Sequence, residues 1–324
     1  MNPEGWDVKV VLPSTQKSWI GKAYHIKEIT KGAYYYPNGD GTGEISTIPR
    51  PLKNGEIVHI RPAQLIYSDL IMICRPSGSS WTVDQTPATC VNVALHNIFP
   101  DKIDLVVSGP NLGRNTSAAF ALSSGTIGAA LSSSLSKVRS IALSYGTVLY
   151  PTPTELFTPA HRLGSSIIVY LWNNWGRDPR GLRNGEVDLY SINIPLGENL
   201  LAEQGSKICT TRMWRNSYGR LFERTTNTST PNGQAVPVGP DAIGPAMKEV
   251  DPQTTALKYG ELAFKFSPDM TDLINPSVSS LPVGTDAWAL HQGWISVTPL
   301  RASFEEPDNI DQEDLESRIW KLKL

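Results

Sequence analysis

The sequence carries almost no excess charge of either sign: 29 lysines and arginines face 31 aspartates and glutamates, a formal net charge of -2. Such a chain has no whole-protein field to gather nucleic acid or an anionic membrane, so any anion site must be built locally. Cysteine is scarce too. Cys74, Cys90 and Cys209 lie far apart, which excludes a C-x-x-C zinc site and a dense disulfide framework and fits a reducing compartment. No apolar run approaches the roughly 18 residues of a membrane span, and no basic stretch followed by an apolar one opens the chain. It reads as soluble, unexported and cytoplasmic. G-x-G-x-x-G, G-x-x-x-x-G-K-[ST] and G-x-S-x-G are all missing, which removes dinucleotide binding, P-loop chemistry and the serine-hydrolase elbow. The five histidines, His25, His59, His96, His161 and His291, show neither H-x-H nor H-E-x-x-H spacing.

What is present is a core-forming chain, with 40% hydrophobic residues over 324 positions. Asp7 to Leu12, Ile103 to Val107, Ser140 to Ser144 and Asp188 to Ile194 are short apolar runs with the look of buried strands. Between them, Thr86 to Ile98 places Val91, Ala94, Leu95 and Ile98 on one helical face behind a Thr-Pro start. A small-residue helix follows Ser123, and Thr154 to Trp175 repeats apolar residues every three or four positions. Strands alternating with helices predict an α/β fold, a doubly wound, mostly parallel sheet in a Rossmann-like three-layer arrangement. One domain over 1–324 is expected: a core at about 5–200, a Gly-, Pro- and Tyr-rich surface insertion or hairpin arm at about 31–65, a mobile loop at about 225–255, and a smaller β-rich extension at about 256–324 closed by a helix from Glu313.

Ligands of doubly wound sheets sit beyond the carboxyl ends of the strands. There the loop SGPNLGRN follows Val107, with Asn111 and Asn115 as polar groups, and leads into Ser124-Gly125-Thr126 at the start of a helix. A helix N-terminus with hydroxyls and a glycine favours an anion, because its first N–H groups lack partners within the helix. The same residues also suit an ordinary Gly/Asn turn and a serine cap. Lys207, Arg212, Arg215, Arg220 and Arg224, interleaved with Trp214, Tyr218 and Phe222, suit either a nucleotide or a solvated arm.

Five blocks in order, GWDVKVVLPSTQKSWIGKA, TPATCVNVAL, SGPNLGRN with SSGTIGAA, YSINIP and GTDAWALHQGWISVTPL, together resemble the SurE survival-protein family of nucleotidases and phosphatases, most of all its fungal members. Some of those carry a tubulin-tyrosine-ligase-like domain after this one. In that family two adjacent aspartates at the end of the first strand, a serine and an asparagine hold a divalent cation, Mg²⁺ or Mn²⁺. The matching metal positions here are Ser18 and Asn111. Asn115, Ser124, Gly125 and Thr126 match the residues around the phosphate. The aspartate pair has no counterpart, and Asp84, Asp104 and Asp188 have no spacing that makes them replacements. The resemblance therefore implies an N-terminally truncated member with its first strand missing, impaired cation binding and a sheet split where a central strand is lost. It implies a metal-dependent phosphomonoesterase acting on nucleoside monophosphates or similar esters. The alternative is a catalytically inactive phosphate- or nucleotide-binding or scaffold protein. The expected partners are a small phosphate ester or nucleotide and further copies of the chain, as a homodimer or homotetramer exchanging C-terminal elements, with neither membrane nor nucleic acid. Asp286 is expected to cap the helix that follows it.

Overall fold

The structure, a computed structural model, describes residues 6, 8–13, 18–27, 29–37, 43–48, 71–74, 80–83, 85–148, 151–202, 205–225, 263–268, 273, 276–304 and 319. Its main sheet is built from β1 (Val8–Pro13), β2 (Gly32–Pro37), β3 (Gly43–Ser46), β4 (Ile71–Cys74), β5 (Ser80–Val83), β6 (Leu105–Leu112), β7 (Arg139–Thr147), β8 (Leu189–Leu196), β9 (Ile208–Thr210) and β12 (Ile295–Leu300). The ten strands lie in the order β3-β2-β5-β1-β4-β6-β7-β8-β12-β9. A separate antiparallel pair joins β10 (Phe222–Thr225) to β11 (Ala263–Phe266). Helices are α1 (Pro87–Val93), α2 (Ala118–Ser123), α3 (Gly125–Leu135), α4 (Phe157–Asn173) and α5 (Asp286–His291).

The centre of the sheet is the parallel set β6-β7-β8, and its apolar composition follows from being covered on both faces. Ile141, Leu143 and Tyr145 of β7 meet Phe157, Ala160, Ile167 and Leu171 of α4. Ala142, between them, faces the other way, onto Ile127 and Ala130 of α3. Each large aliphatic side chain so enclosed contributes about 1.5–3 kcal/mol relative to exposure. The expected α/β class and two-sided cover are therefore present, while the flanks bring in antiparallel neighbours.

One expectation is corrected. The sheet is not split beside β1. β4 lies between β1 and β6, antiparallel to both, and supplies hydrogen-bond partners to the facing edges of those two strands. Within the Tyr-rich insertion, β2 and β3 pair as a hairpin that extends the main sheet, joined through β5. The loop expected at about 225–255 and the terminal helix lie, but for Thr225 and Ile319, outside the described residues.

α1 starts as its sequence dictates. Thr86, in an extended conformation, accepts the Thr89 N–H on its hydroxyl, and Pro87 takes the first turn, where its missing N–H costs nothing. The Thr86 hydroxyl in turn donates to the Ala23 carbonyl, 2.6 Å, so the cap also anchors the loop that follows β1.

Candidate phosphate cradle at the carboxyl ends of the central strands

α3 runs back along β7, and its side chains give the alignment. Ser134, near its end, bonds Ser140 at the start of β7, 2.8 Å, and Ile127 lies in the same cluster as Ala142. The helix start, Ser124, is thereby carried towards Ser144, at the carboxyl end of the parallel strands. Ser124 caps α3 by accepting the Ile127 N–H on its hydroxyl. The first-turn amides of Gly125 and Thr126 point out of the helix end, where the dipole favours an anion. Gly125 and Thr126 are both buried.

Facing that helix start is a polar row in strands that are otherwise apolar. Asn111 pairs with Ser144, Ser144 with Asn193, and Asn193 with Ser296. Asn115 closes onto this row: its Nδ2 donates to the Ser144 Oγ, 2.7 Å, and its backbone N–H donates to the Asn193 Oδ1, 2.8 Å, both buried. Asn111 donates its Nδ2 to the Gly113 carbonyl, 2.8 Å. Gly109 makes the loop possible. At φ +120°, a Cβ there would lie 2.1 Å from the Leu143 carbonyl oxygen, a place only glycine fits. Several buried groups near this row lack a partner among the described residues: Ser108 Oγ, Ser117 Oγ, Asn193 Nδ2 and Ser296 Oγ. Each can donate a hydrogen bond.

The loop carrying Ser18 is held against the same helix. The Gly21 N–H donates to the Ser123 carbonyl, 2.9 Å, and a Cβ on Gly128 would stand 2.3 Å from the Gly21 carbonyl oxygen. Backbone touches backbone there. Ser18 itself is exposed, three residues before that contact.

Asp286, expected as a cap, does a larger job. Thr285 is the residue that caps α5, accepting the Trp288 N–H. The Asp286 carboxylate, 1% exposed, accepts N–H groups from Ser117 before α2, Trp214 in the basic arm, and Ala287. Burial pushes its pKa up to about 6 against the opposing pull of those N–H donors. The arm continues over α2: the Ala118 N–H donates to the Trp214 carbonyl, and the Ala119 N–H to the Asn216 Oδ1.

The chain is similar in sequence and fold to known proteins. The profile of the family described as Survival protein SurE matches residues 1–220. The chain belongs to the SurE family. It is 32% identical over 182 residues to a "5'-nucleotidase SurE" of Synechocystis, covering 56% of each chain. To the one of Ruegeria pomeroyi it is 26% identical over 272 residues, 83% of this chain and 86% of that one. The "Probable tubulin--tyrosine ligase PBY1" of Saccharomyces cerevisiae is 30% identical over 308 residues, 93% of this chain but 37% of the yeast protein. This SurE chain thus spans little more than a third and about half of two of these curated relatives. The crystal structure of the Aquifex aeolicus SurE protein superposes with a TM-score of 0.52 at 19% identity, covering 93% of this chain and 85% of that one, which fixes the fold.

SurE membership raises the matter of a divalent cation. Hard dications take anionic oxygens. Ser18 offers a neutral hydroxyl and Asn111 a neutral amide. Among the described residues no three His, Cys, Asp or Glu side chains gather to hold a metal. Asp188, the acidic residue next to β8, spends both carboxylate oxygens on the Leu182 and Ala302 N–H groups, and Asp84 lies outside the described residues. These donors do not by themselves fit such an ion. Sequence reading missed Ser144, Asn193 and Ser296 in this candidate site. The signal was there: single polar residues facing one way inside the apolar runs SIALS, YSINI and ISVT.

Proposed function

We propose that this chain is a phosphomonoesterase of the SurE type, acting on nucleoside monophosphates or similar phosphate esters, with the start of α3 as its phosphoryl cradle. The observation that carries the reading is the alignment of the capped α3 N-terminus with the Ser144-Asn193 row, across which Asn115 is clamped. In this reading the Gly125 and Thr126 amides receive the phosphoryl oxygens, and Ser124 shapes the turn that aims them. Asn115 fixes the loop opposite. Asn111 and Ser18 are the neutral oxygen donors nearest the role of cation ligands, Mg²⁺ or Mn²⁺ being the ions implied. They lack the carboxylates a hard dication needs. The printed activity of the bacterial relatives, 5'-nucleotidase, supports the substrate class. Self-association as a homodimer or homotetramer and a cytoplasmic location complete the proposal. No helix among the described residues is long and apolar enough to cross a membrane.

One observation favours a second reading, a catalytically inactive phosphate- or nucleotide-binding protein: the lack of a carboxylate cluster among the described residues. Release of inorganic phosphate from nucleoside monophosphates, with and without added Mn²⁺, separates the two. Activity that disappears in Asn111→Ala refutes the binding-only reading. Phosphate binding without any turnover refutes the enzyme reading.

A further inference from the structure

Trp19 sits at φ +55°, a left-handed conformation in which a bulky residue is an outlier and which persists only where the surroundings enforce it. What surrounds it is aromatic and comes from distant parts of the chain. Phe120 of α2, Tyr218 of the basic arm and Phe266 of β11 each meet the Trp19 ring edge to face, with centroids 6.4, 6.4 and 5.3 Å away. Phe222 adds an edge contact to Phe266, 5.5 Å. None of these contacts is a parallel stack, so no described aromatic ring lies flat against another in the group. The cluster is also open. Tyr218 is 47% and Phe222 55% exposed, although each belongs to a group that could have closed into a core.

Its position gives it a use. Trp19 follows Ser18, and two residues later Gly21 is bonded to the Ser123 carbonyl at the start of the α3 turn. Two residues of chain reach at most about 7 Å, a separation comparable to that between the phosphate and the base of one nucleotide. The arm that brings Tyr218 is fixed by the Trp214 and Asn216 bonds to α2 and carries Arg215 and Arg220 on either side of the tyrosine. On the outer face of the hairpin Glu223 is paired with Lys265, while Phe222, Arg224, Phe264 and Phe266 share the opposite face.

Resting on the phosphate-cradle reading, we propose that Trp19 and Tyr218, with Phe222 beside them, form a stacking platform for the base of a nucleotide whose phosphate lies at the start of α3. An aromatic platform accepts any base through its flat face and discriminates nucleotides from base-free phosphate esters.

The test is binding of adenosine 5'-monophosphate, adenosine and inorganic phosphate to the full chain, followed by tryptophan fluorescence and calorimetry. Adenosine 5'-monophosphate should bind roughly 5- to 150-fold more tightly than phosphate, the range one stacked base contributes. Trp19→Gly, which also relieves the left-handed backbone, and Tyr218→Ala should collapse that ratio, and Trp19→Phe should retain it. Equal affinities for the two ligands, or a ratio unchanged in Trp19→Gly, overturns the platform. So does a Trp19→Gly variant that changes oligomeric state but not the ratio, because then another copy covers the rings. Adenosine binding that depends on Trp19 while phosphate does not bind at all leaves the platform standing and removes the cradle.

Discussion

Replacing Asp286 with asparagine should change how stability depends on pH, and in a direction that reveals what burial does to this carboxyl. Two effects compete at the site. Three backbone N–H donors favour the charged form, whereas enclosure at 1% exposure disfavours it. Burial is the larger, raising the pKa from 3.8 to about 6. The folded protein therefore holds the Asp286 proton more tightly than the unfolded chain does. The stability this proton contributes is fully present below about pH 3.8 and is lost as pH rises through about 6. A rise of that size corresponds to about 3 kcal/mol, since each unit is worth about 1.4 kcal/mol.

Other carboxyls pull the opposite way: Glu186, held by Arg139, and Asp178, held by Arg301, are both lowered and lose their contribution on acidification. The informative quantity is thus the difference between wild type and Asp286→Asn. The asparagine sets an NH₂ against a buried N–H of Ser117 or Trp214, a cost of about 1–3 kcal/mol at every pH. On top of that offset, the wild-type advantage over this range should be largest at pH 4 and shrink by about 2 kcal/mol towards pH 7. Urea midpoints measured from pH 4 to 7 read this directly. A difference that stays flat, or grows as pH rises, refutes the reasoning and means that the three N–H donors outweigh burial.

The remaining expectations concern the cradle. Gly128→Ala should destabilise by about 1–3 kcal/mol despite its gain in helix propensity, because the added Cβ meets only backbone atoms of Gly21 and Lys22 at 2.3 to 2.8 Å; an unchanged denaturation midpoint would show that the Ser18 loop does not rest on α3. Asn193→Ala removes the acceptor of the buried Asn115 N–H and should cost about 1–3 kcal/mol together with affinity for inorganic phosphate, which calorimetry would register; undiminished phosphate binding would separate the row from the cradle. Ser117→Gly should raise stability by about 1 kcal/mol, since Ser117 has φ 76° and a buried hydroxyl with no partner among the described residues; a lower melting temperature would contradict that.

The parts of this fold that sequence made legible are those whose cause is local or periodic. β6, β7 and β8 are enclosed on both faces, so they read as apolar runs, and the Thr86-Pro87 start declares α1 without any tertiary information. The placement of β4 was not legible. A four-residue run of this kind carries no sign that it will lie antiparallel between two strands, since that choice depends on edges formed by residues far away. Asp286 shows the same limit at the level of one side chain. Its spacing from α5 suggests a cap, yet two of its three N–H partners sit 72 and 169 residues away.

The cradle lies between these extremes, and the reason is physical. A hydroxyl or amide inside a strand that is buried on both faces must meet a polar partner or incur the cost of an unsatisfied group. Ser144 and Asn193 are therefore informative even in an unaligned sequence, because each interrupts an apolar run at a position facing α3. What the run cannot say is which polar segment arrives to meet them. That segment is the Asn111-Asn115 loop, and its arrival aligns three neighbouring strands with the start of α3. The proposed anion site is therefore a property of register: shift β7 by one residue against β6 and β8, and Ser144 turns to the α4 face, away from the Asn115 amide whose hydrogen bond it now accepts.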